Sequence, residues 1–371
     1  MEEKSARTSN QDRIKELEKE LSTTKYNKRT QLHIGLVKAK IAMLKAKLEA
    51  RGKGQKKGEG YTVRKTGDAT VVLLGFPSVG KSTLLNKLTN AHSEVGSYAF
   101  TTLTCIPGLL EYHHAKIQVL DVPGIVEGAA AGTGRGKEVL QVVRNADLVL
   151  VLLDVFQPEH HQVILKEIED THVRINQRMP DVKIVKTAKG GIDAGSTVPL
   201  TKIDIKTIEA ICKEMRLTNA QIVLRDDIDA GEFIDIIEKN RVYIPAIIVV
   251  NKIDLATEDQ ILKVQQEIQP DIVVSAESGE HIEELKQLIF DRLKFIRIYL
   301  KEIGHKADMD VPLIMKSPAS IQDICEKLHR DFIDKFRYAR IWGKSVRFDG
   351  QKLLKTGHIL MDEDILELHL K

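Results

Sequence analysis

Cysteine is scarce in this chain. Its three copies among 371 residues, Cys105, Cys212 and Cys325, lie too far apart for a zinc cluster. The same scatter argues against a disulfide framework, and their odd number suits a reducing cytoplasm, where the protein is expected. Long hydrophobic runs are missing as well. Stretches such as Leu148-Val-Leu-Val-Leu-Leu153 fall far short of the roughly 20 residues a bilayer span needs, so no membrane association is expected. The first residues are polar and charged, which argues against a secretory signal.

What remains is the composition of a soluble globular protein, 42% hydrophobic and 29% charged, long enough for two to three domains. The net charge of +3 conceals an asymmetry. Residues 1–66 hold 18 Lys/Arg against 8 Asp/Glu, a balance of +10 that leaves −7 for the rest. A basic arm on a slightly acidic body points to an anionic partner.

The strongest motif is Gly75-Phe-Pro-Ser-Val-Gly80-Lys81-Ser82, directly after the apolar run Thr70-Val-Val-Leu-Leu74 and before Ser82-Thr-Leu-Leu-Asn-Lys-Leu88. This is strand, glycine-bounded turn and helix in the order a phosphate-binding loop requires. Gly75 and Gly80 let successive N–H groups, those of Pro77's neighbours Ser78 and Val79 through Thr83, face one anion. The helix start adds its dipole, Lys81 reaches the outer phosphates, and Ser82 offers a hydroxyl to Mg²⁺. The loop therefore implies a nucleoside triphosphate.

Three later segments specify which one. Asp121-Val-Pro-Gly124 follows the strand Lys116–Leu120, which places the Asp121 carboxylate at a strand end, facing Mg²⁺, and the Gly124 N–H toward the γ-phosphate. Asn251-Lys252-Ile-Asp254 follows Ile244–Val250, and Asp254 can accept from guanine N1–H and its exocyclic amine. Adenine would leave that carboxylate unpaired. Ser275-Ala276-Glu277, after Asp271–Val274, can close the base pocket with backbone N–H groups. Together they indicate GTP. Thr201-Lys-Ile-Asp204 imitates the guanine motif but lacks its Asn and a strong strand before it.

Between the loop and Asp121 lies Tyr98-Ala-Phe-Thr101-Thr102-Leu-Thr104. A threonine here can put its hydroxyl on Mg²⁺ and its N–H on the γ-phosphate; both Thr101 and Thr102 fit, and Thr102 is the one assigned. Gly124 to Gly136 contains five glycines in thirteen residues, the composition of a mobile switch. Ile125 occupies the slot where Ras-like enzymes carry a water-orienting glutamine, so hydrolysis is expected to be slow.

The fold class is α/β, with flanking pieces around a P-loop domain. Ile14, Leu17 and Leu21, then Ile34, Val37, Ile41, Leu44 and Leu48, repeat at helical spacing. They make residues 1–60 a helical hairpin, with Lys38, Lys40, Lys45 and Lys47 on its outer face and a basic linker after Arg51. The nucleotide domain takes 65–164 and 241–300, ending in a helix expected from Ile282 to Tyr299. Residues 165–240 exceed any ordinary crossover and read as an inserted αβ subdomain. Residues 305–371 form a small unit with an amphipathic helix over Ile321–Phe332 and a last strand over Ile365–Leu370. Within it, residues 335–355 carry seven basic side chains (Lys335, Arg337, Arg340, Lys344, Arg347, Lys352, Lys355) and one acid, Asp349. Phe336, Tyr338, Trp342 and Phe348 are interleaved, a pattern suited to RNA or to a small core.

The chain resembles the Obg/HflX class of translation GTPases, and within it the developmentally regulated GTP-binding proteins. Gly75 to Asn86, Val95 to Leu103 and Asp121 to Gly128 carry the resemblance, which extends over essentially the whole chain. It implies a ribosomal-protein-like insert, a C-terminal TGS domain of the β-grasp type, and a role with ribosomes or RNA. It also implies a dedicated partner protein in the eukaryotic relatives, a hydrophobic residue in the slot of Ile125, and K⁺ assistance to hydrolysis. Potassium-using GTPases often carry Asn where this chain has Ser78. The expectation is a slow GTPase switch, binding GTP and GDP and docking on ribosomes or RNA. The rival is an RNA-binding scaffold with GTP as a structural ligand.

Overall fold

The computed structural model describes residues 2–52, 67–89, 106–122, 142–170 and 172–371. Thr101, Thr102, Gly124, Ile125, Cys105 and the glycine-rich run to Gly136 lie outside the described residues, as does most of the basic linker. The chain divides into two compact units, Met1–Gly60 with Gln177–Tyr243, and Tyr61–Asn176 with Ile244–Lys371. Among the described residues, no helix is long and apolar enough to cross a membrane.

The second unit is built on a six-stranded sheet. Its spatial order is Ile272–Val273, Ala246–Asn251, Leu148–Asp154, Ala69–Leu74, Ala115–Asp121 and Ile106–Tyr112. All neighbours are parallel except the last pair, a hairpin turning at His113 and His114. Ala69–Leu74 and Leu148–Asp154 are buried at every residue, which is why they read as unbroken apolar runs: helices cover both faces of a parallel sheet. Leu84, Leu85 and Leu88 from Lys81–Thr89, and Leu285 and Ile289 from Ile282–Arg292, pack into the same core as Val71, Ile117 and Leu150. In this register Leu73 lies beside Asp121, and Asp154 beside Asn251. The parallel strands thus end together, along one rim.

The helix expected from Ile282 to Tyr299 stops at Arg292. Lys294 takes a left-handed φ of 53°, and Phe295–Leu300 continues as a strand. Apolar residues at 295, 296, 298 and 300 satisfy both the helical and the alternating period, so spacing could not separate the two. This strand enters a five-stranded sheet in the order Leu313–Lys316, Phe295–Leu300, Ile365–Leu370, Phe336–Trp342, Gln351–Leu353. Ile324 and Cys325 from Ile321–Leu328 pack on its inner face with Ile298, Ala339, Ile341 and Leu366. The amphipathic helix is shorter than expected because His329 is extended (φ −163°), and a separate turn, Asp331–Lys335, follows. Phe295 and Ile314 bury their side chains in the core of the nucleotide domain, and Lys316 pairs with Asp147 at 2.5 Å. The terminal module is joined to that domain by shared packing, not by a linker.

In the first unit, Glu2–Thr23 and Gln31–Gly52 form an antiparallel pair. Ile14 and Leu17 of the first helix meet Val37 and Ile41 of the second. Asn27 shapes the turn by accepting from the N–H groups of Arg29 and Thr30. The inserted segment supplies a sheet ordered Val182–Lys186, Ala220–Leu224, Ile192–Ser196, with helices Ile205–Glu214 and Ala230–Glu238 against one face. Ala39 of the hairpin lies in the core of that insert, and Tyr26 and Gln31 both donate to the Lys202 carbonyl. Of the four lysines assigned to the outer face, Lys40 and Lys47 are exposed, while Lys38 and Lys45 are half-buried and Lys45 pairs with Glu18 at 3.2 Å.

Candidate functional site

The P-loop connects the buried strand Ala69–Leu74 to the helix Lys81–Thr89. Two of its glycines are dictated by close approach. A Cβ on Gly75 would stand 2.6 Å from the Leu152 carbonyl oxygen, and one on Gly80 (φ 97°) would stand 2.4 Å from Asn251 Nδ2. Ser78 itself takes a left-handed φ of 62°. The loop borders an open cleft of about 440 Å³ lined by Pro77, Ser78, Gly80, Lys81, Ser82, Thr83 and Asp121.

Lys81 Nζ donates to the carbonyls of Gly75 (3.0 Å) and Phe76 (2.9 Å). Burial lowers the pKa of Lys81, and the Asp121 charge opposes that shift. Ser82 Oγ donates to Asp121 Oδ2 at 2.8 Å. The other oxygen, Asp121 Oδ1, is buried with no hydrogen-bond partner, on a residue only 5% exposed. An orphaned carboxylate oxygen beside a serine hydroxyl, at the mouth of a phosphate loop, fits a hard oxygen-seeking cation such as Mg²⁺.

The base motif sits at the end of Ala246–Asn251. Asn251, 2% exposed, donates from Nδ2 to Val79 O and accepts at Oδ1 from Ala276 N–H, both at 2.9 Å. One side chain thereby ties the P-loop to the segment Ser275-Ala276-Glu277. Asp254 is exposed, and its Oδ1 accepts from Ser275 Oγ at 2.6 Å, which orients the carboxylate. Val79 is buried and Glu277 exposed. The structure thus brings Pro77 to Thr83, Asp121, Asn251, Lys252, Asp254 and Ser275 to Glu277 onto the rim formed by the strand ends.

Two contacts were not read from the sequence. Asp154 accepts from Lys252 Nζ at 2.7 Å, and Phe76 stacks on His160 with ring centroids 3.6 Å apart and planes 14° apart. The signal for Asp154 was its place at the end of the run Leu148–Leu153, one strand over from Asn251. The imitation motif at Thr201 has a structural use: Asp204 caps Ile205–Glu214 by accepting from Thr207 N–H, and Thr201 bonds Asp227.

The basic stretch of the terminal module is divided. Lys335 and Lys344 pair with Asp331 and Glu363, each at 3.6 Å. Phe336 packs against the core and Phe348 is exposed. Tyr338 lies under Lys352 Nζ (4.1 Å to the ring centroid) and stacks on His369, while Lys301 Nζ lies 4.7 Å from the Trp342 centroid. Arg337 and Arg340 are exposed.

The chain matches known families over nearly its whole length. The family described as "50S ribosome-binding GTPase" matches residues 70–186, the C-terminal region of that domain matches 189–295, and the TGS domain matches 296–370. An uncharacterized GTP-binding protein of Methanocaldococcus jannaschii is 52% identical, covering 97% of this chain and 93% of its own. Developmentally-regulated G-protein 3 of Arabidopsis thaliana is 44% identical over 96% of this chain and 97% of its own. Developmentally-regulated GTP-binding protein 2 of Homo sapiens is 40% identical over 96% and 98%.

Proposed function

The chain belongs to the developmentally regulated GTP-binding protein family, and from that premise we propose that it is a slow, Mg²⁺-dependent GTP hydrolase that couples nucleotide state to docking on RNA. It works in the cytoplasm, on ribosomes or ribosomal RNA. The observation that carries the enzymatic half is the Ser82–Asp121 pair, with its orphaned Oδ1, beside Lys81 at one open cleft.

Each residue has a task. Lys81 exchanges its two carbonyl partners for phosphate oxygens, and the loop amides from Ser78 to Thr83 hold the phosphate chain. Ser82, Asp121 and Thr102 would hold Mg²⁺, which when bound offsets the charge spread over the phosphate oxygens. Gly124 offers its N–H to the γ-phosphate. Asp254, oriented by Ser275, selects guanine; Asn251 fixes the distance between loop and base site. Ile125 carries no donor or acceptor, so an outside group must orient the attacking water, and basal turnover is slow. Potassium is one candidate. A rate equal in sodium and potassium would remove it.

RNA docking is assigned to the basic hairpin and to the terminal module. There the exposed Arg337 and Arg340, with Lys352, are better placed than Lys335 and Lys344, which have acidic neighbours. A dedicated partner protein is a further expectation. The deciding experiment is GTP turnover with and without ribosomes, alongside co-sedimentation in GTP-analogue, GDP and nucleotide-free states. Nucleotide-dependent sedimentation with stimulated turnover supports the switch. Sedimentation indifferent to nucleotide, with negligible turnover, supports a scaffold that holds GTP as a structural ligand.

A further inference from the structure

An ion pair, Asp154 with Lys252, flanks the motif Asn251 to Asp254. Asp154 ends the strand Leu148–Asp154, directly beside Asn251 in the parallel register. Its Oδ1 accepts from Phe156 N–H at 2.9 Å and its Oδ2 from Lys252 Nζ at 2.7 Å. Val155 N–H donates to the Asn251 carbonyl at 3.2 Å, so the turn after Asp154 is tied to the base motif. The two side chains are 12% and 29% exposed, too sheltered for the pair to be a solvated surface contact. With both oxygens engaged, the carboxylate cannot turn from Lys252 without abandoning a backbone N–H. Lys252 meanwhile sits at a left-handed φ of 68°, where the chain bends between Asn251 and Asp254.

We propose that Asp154 is a positioning residue for guanine recognition. It holds the Lys252 ammonium away from Asp254, so that the Asp254 carboxylate stays available to the base. The inference rests on the nucleotide reading above. Asp254 gives one oxygen to the Ser275 hydroxyl, and its remaining acceptor capacity is what a purine N–H edge would need. Lys252 is only two residues away, a compact charge on a flexible stem. Freed from Asp154, it has Asp254 as the next carboxylate along the chain, and an ion pair there would occupy the acceptor that reads guanine. Arginine or methionine at 252 would not be equivalent: the planar guanidinium favours a two-oxygen partner, and one Asp154 oxygen is already held by Phe156 N–H, while methionine needs no partner.

The test is a double-mutant cycle on the full-length protein, reading GDP and GTP affinity by displacement of a fluorescent GDP analogue. Asp154→Asn is expected to weaken GDP and GTP by the same factor, about tenfold, within the range seen for residues of one ion-pair network. The equal factor follows because Asp154 acts on the base half and not on the phosphates. In the Lys252→Met background the same Asp154→Asn change should have little effect, and Asp154→Glu should recover most of the lost affinity. An equal loss with lysine or methionine at 252, together with a lowered melting temperature of the nucleotide-free protein, would mean a merely structural carboxylate and overturn the proposal. Unchanged GDP affinity in Asp154→Asn overturns it too. Should that variant fold poorly, Asp154→Ser, which keeps an acceptor near Phe156 N–H, takes its place in the cycle. A wild-type protein that fails to bind GDP would sink the nucleotide reading itself, a different result.

Discussion

Asn251→Ala is the perturbation the structure defines most sharply. The amide is buried and makes one bond in each direction, to Val79 O and from Ala276 N–H. Alanine leaves both backbone partners in place without a mate. Each such buried orphan costs about 1–3 kcal/mol, so the two together should cost about 2–6 kcal/mol. For a domain of 150–250 residues, at about 2–4 °C per kcal/mol, that corresponds to a fall in melting temperature of about 4–24 °C. Asn251→Asp should do no better, although it is isosteric. One carboxylate oxygen can still accept from Ala276 N–H, but the other would face the Val79 carbonyl oxygen across the present 2.9 Å. Thermal melts of the nucleotide-free protein read the stability half, and GDP titration reads the coupling of loop to base site. Wild-type melting and wild-type GDP affinity in both variants would refute the reasoning.

Three further outcomes are expected. Asp254→Asn should weaken GTP about tenfold or more and favour xanthine nucleotides, whose oxygen replaces the amine; competition binding with the two nucleotides checks it. Gly35→Leu should loosen the hairpin from the insert, because even a Cβ there would lie 2.8 Å from the Thr207 methyl and 3.4 Å from Ile211 Cδ1. The overpacking costs about 1–3 kcal/mol, and limited proteolysis should release the N-terminal helices while GDP affinity is unchanged. Glu367 makes the terminal module acid-sensitive. Burial pushes its carboxyl upward, but hydrogen bonds from Lys301 and His369 outweigh that and leave the pKa below its ordinary 4.5. The stability it contributes is therefore complete above the unfolded value and lost as pH falls through the folded one. The difference in melting temperature between wild type and Glu367→Gln should be full above about pH 4.5 and shrink steadily as pH falls below it.

Much of the candidate nucleotide site is legible without coordinates, because its motifs are local. Gly75 to Ser82 is strand, turn and helix within one short stretch, and Asn251 to Asp254 and Ser275 to Glu277 each follow a short apolar run that reads as a strand, fully formed as Ala246–Asn251 in the first case and only the half-buried pair Ile272–Val273 in the second. Where two periods coincide, as from Phe295 to Leu300, spacing was ambiguous, and pairing with Leu313–Lys316 and Ile365–Leu366 decided for a strand. The seven basic residues of 335–355 were countable, but which were free was not. Lys335 and Lys344 have acidic neighbours that only folding, or a helical turn, brings near.

The sequence by itself determined the family, the α/β class and the guanine-nucleotide chemistry that goes with the family, and it nominated the residues proposed to carry that chemistry, since a chain of short motifs in fixed order encodes all of these. Tertiary structure alone decided what lies between the motifs. It placed Asp154 against Lys252, made Asn251 the tie between Val79 and Ala276, left Asp121 Oδ1 without a partner, and gave Ala39 to the core of a segment far along the chain. The physical reason is the same in each case. A motif records what one stretch of backbone must do locally, whereas a hydrogen bond or a packed side chain between distant stretches depends on register and burial, which exist only once the sheet has formed.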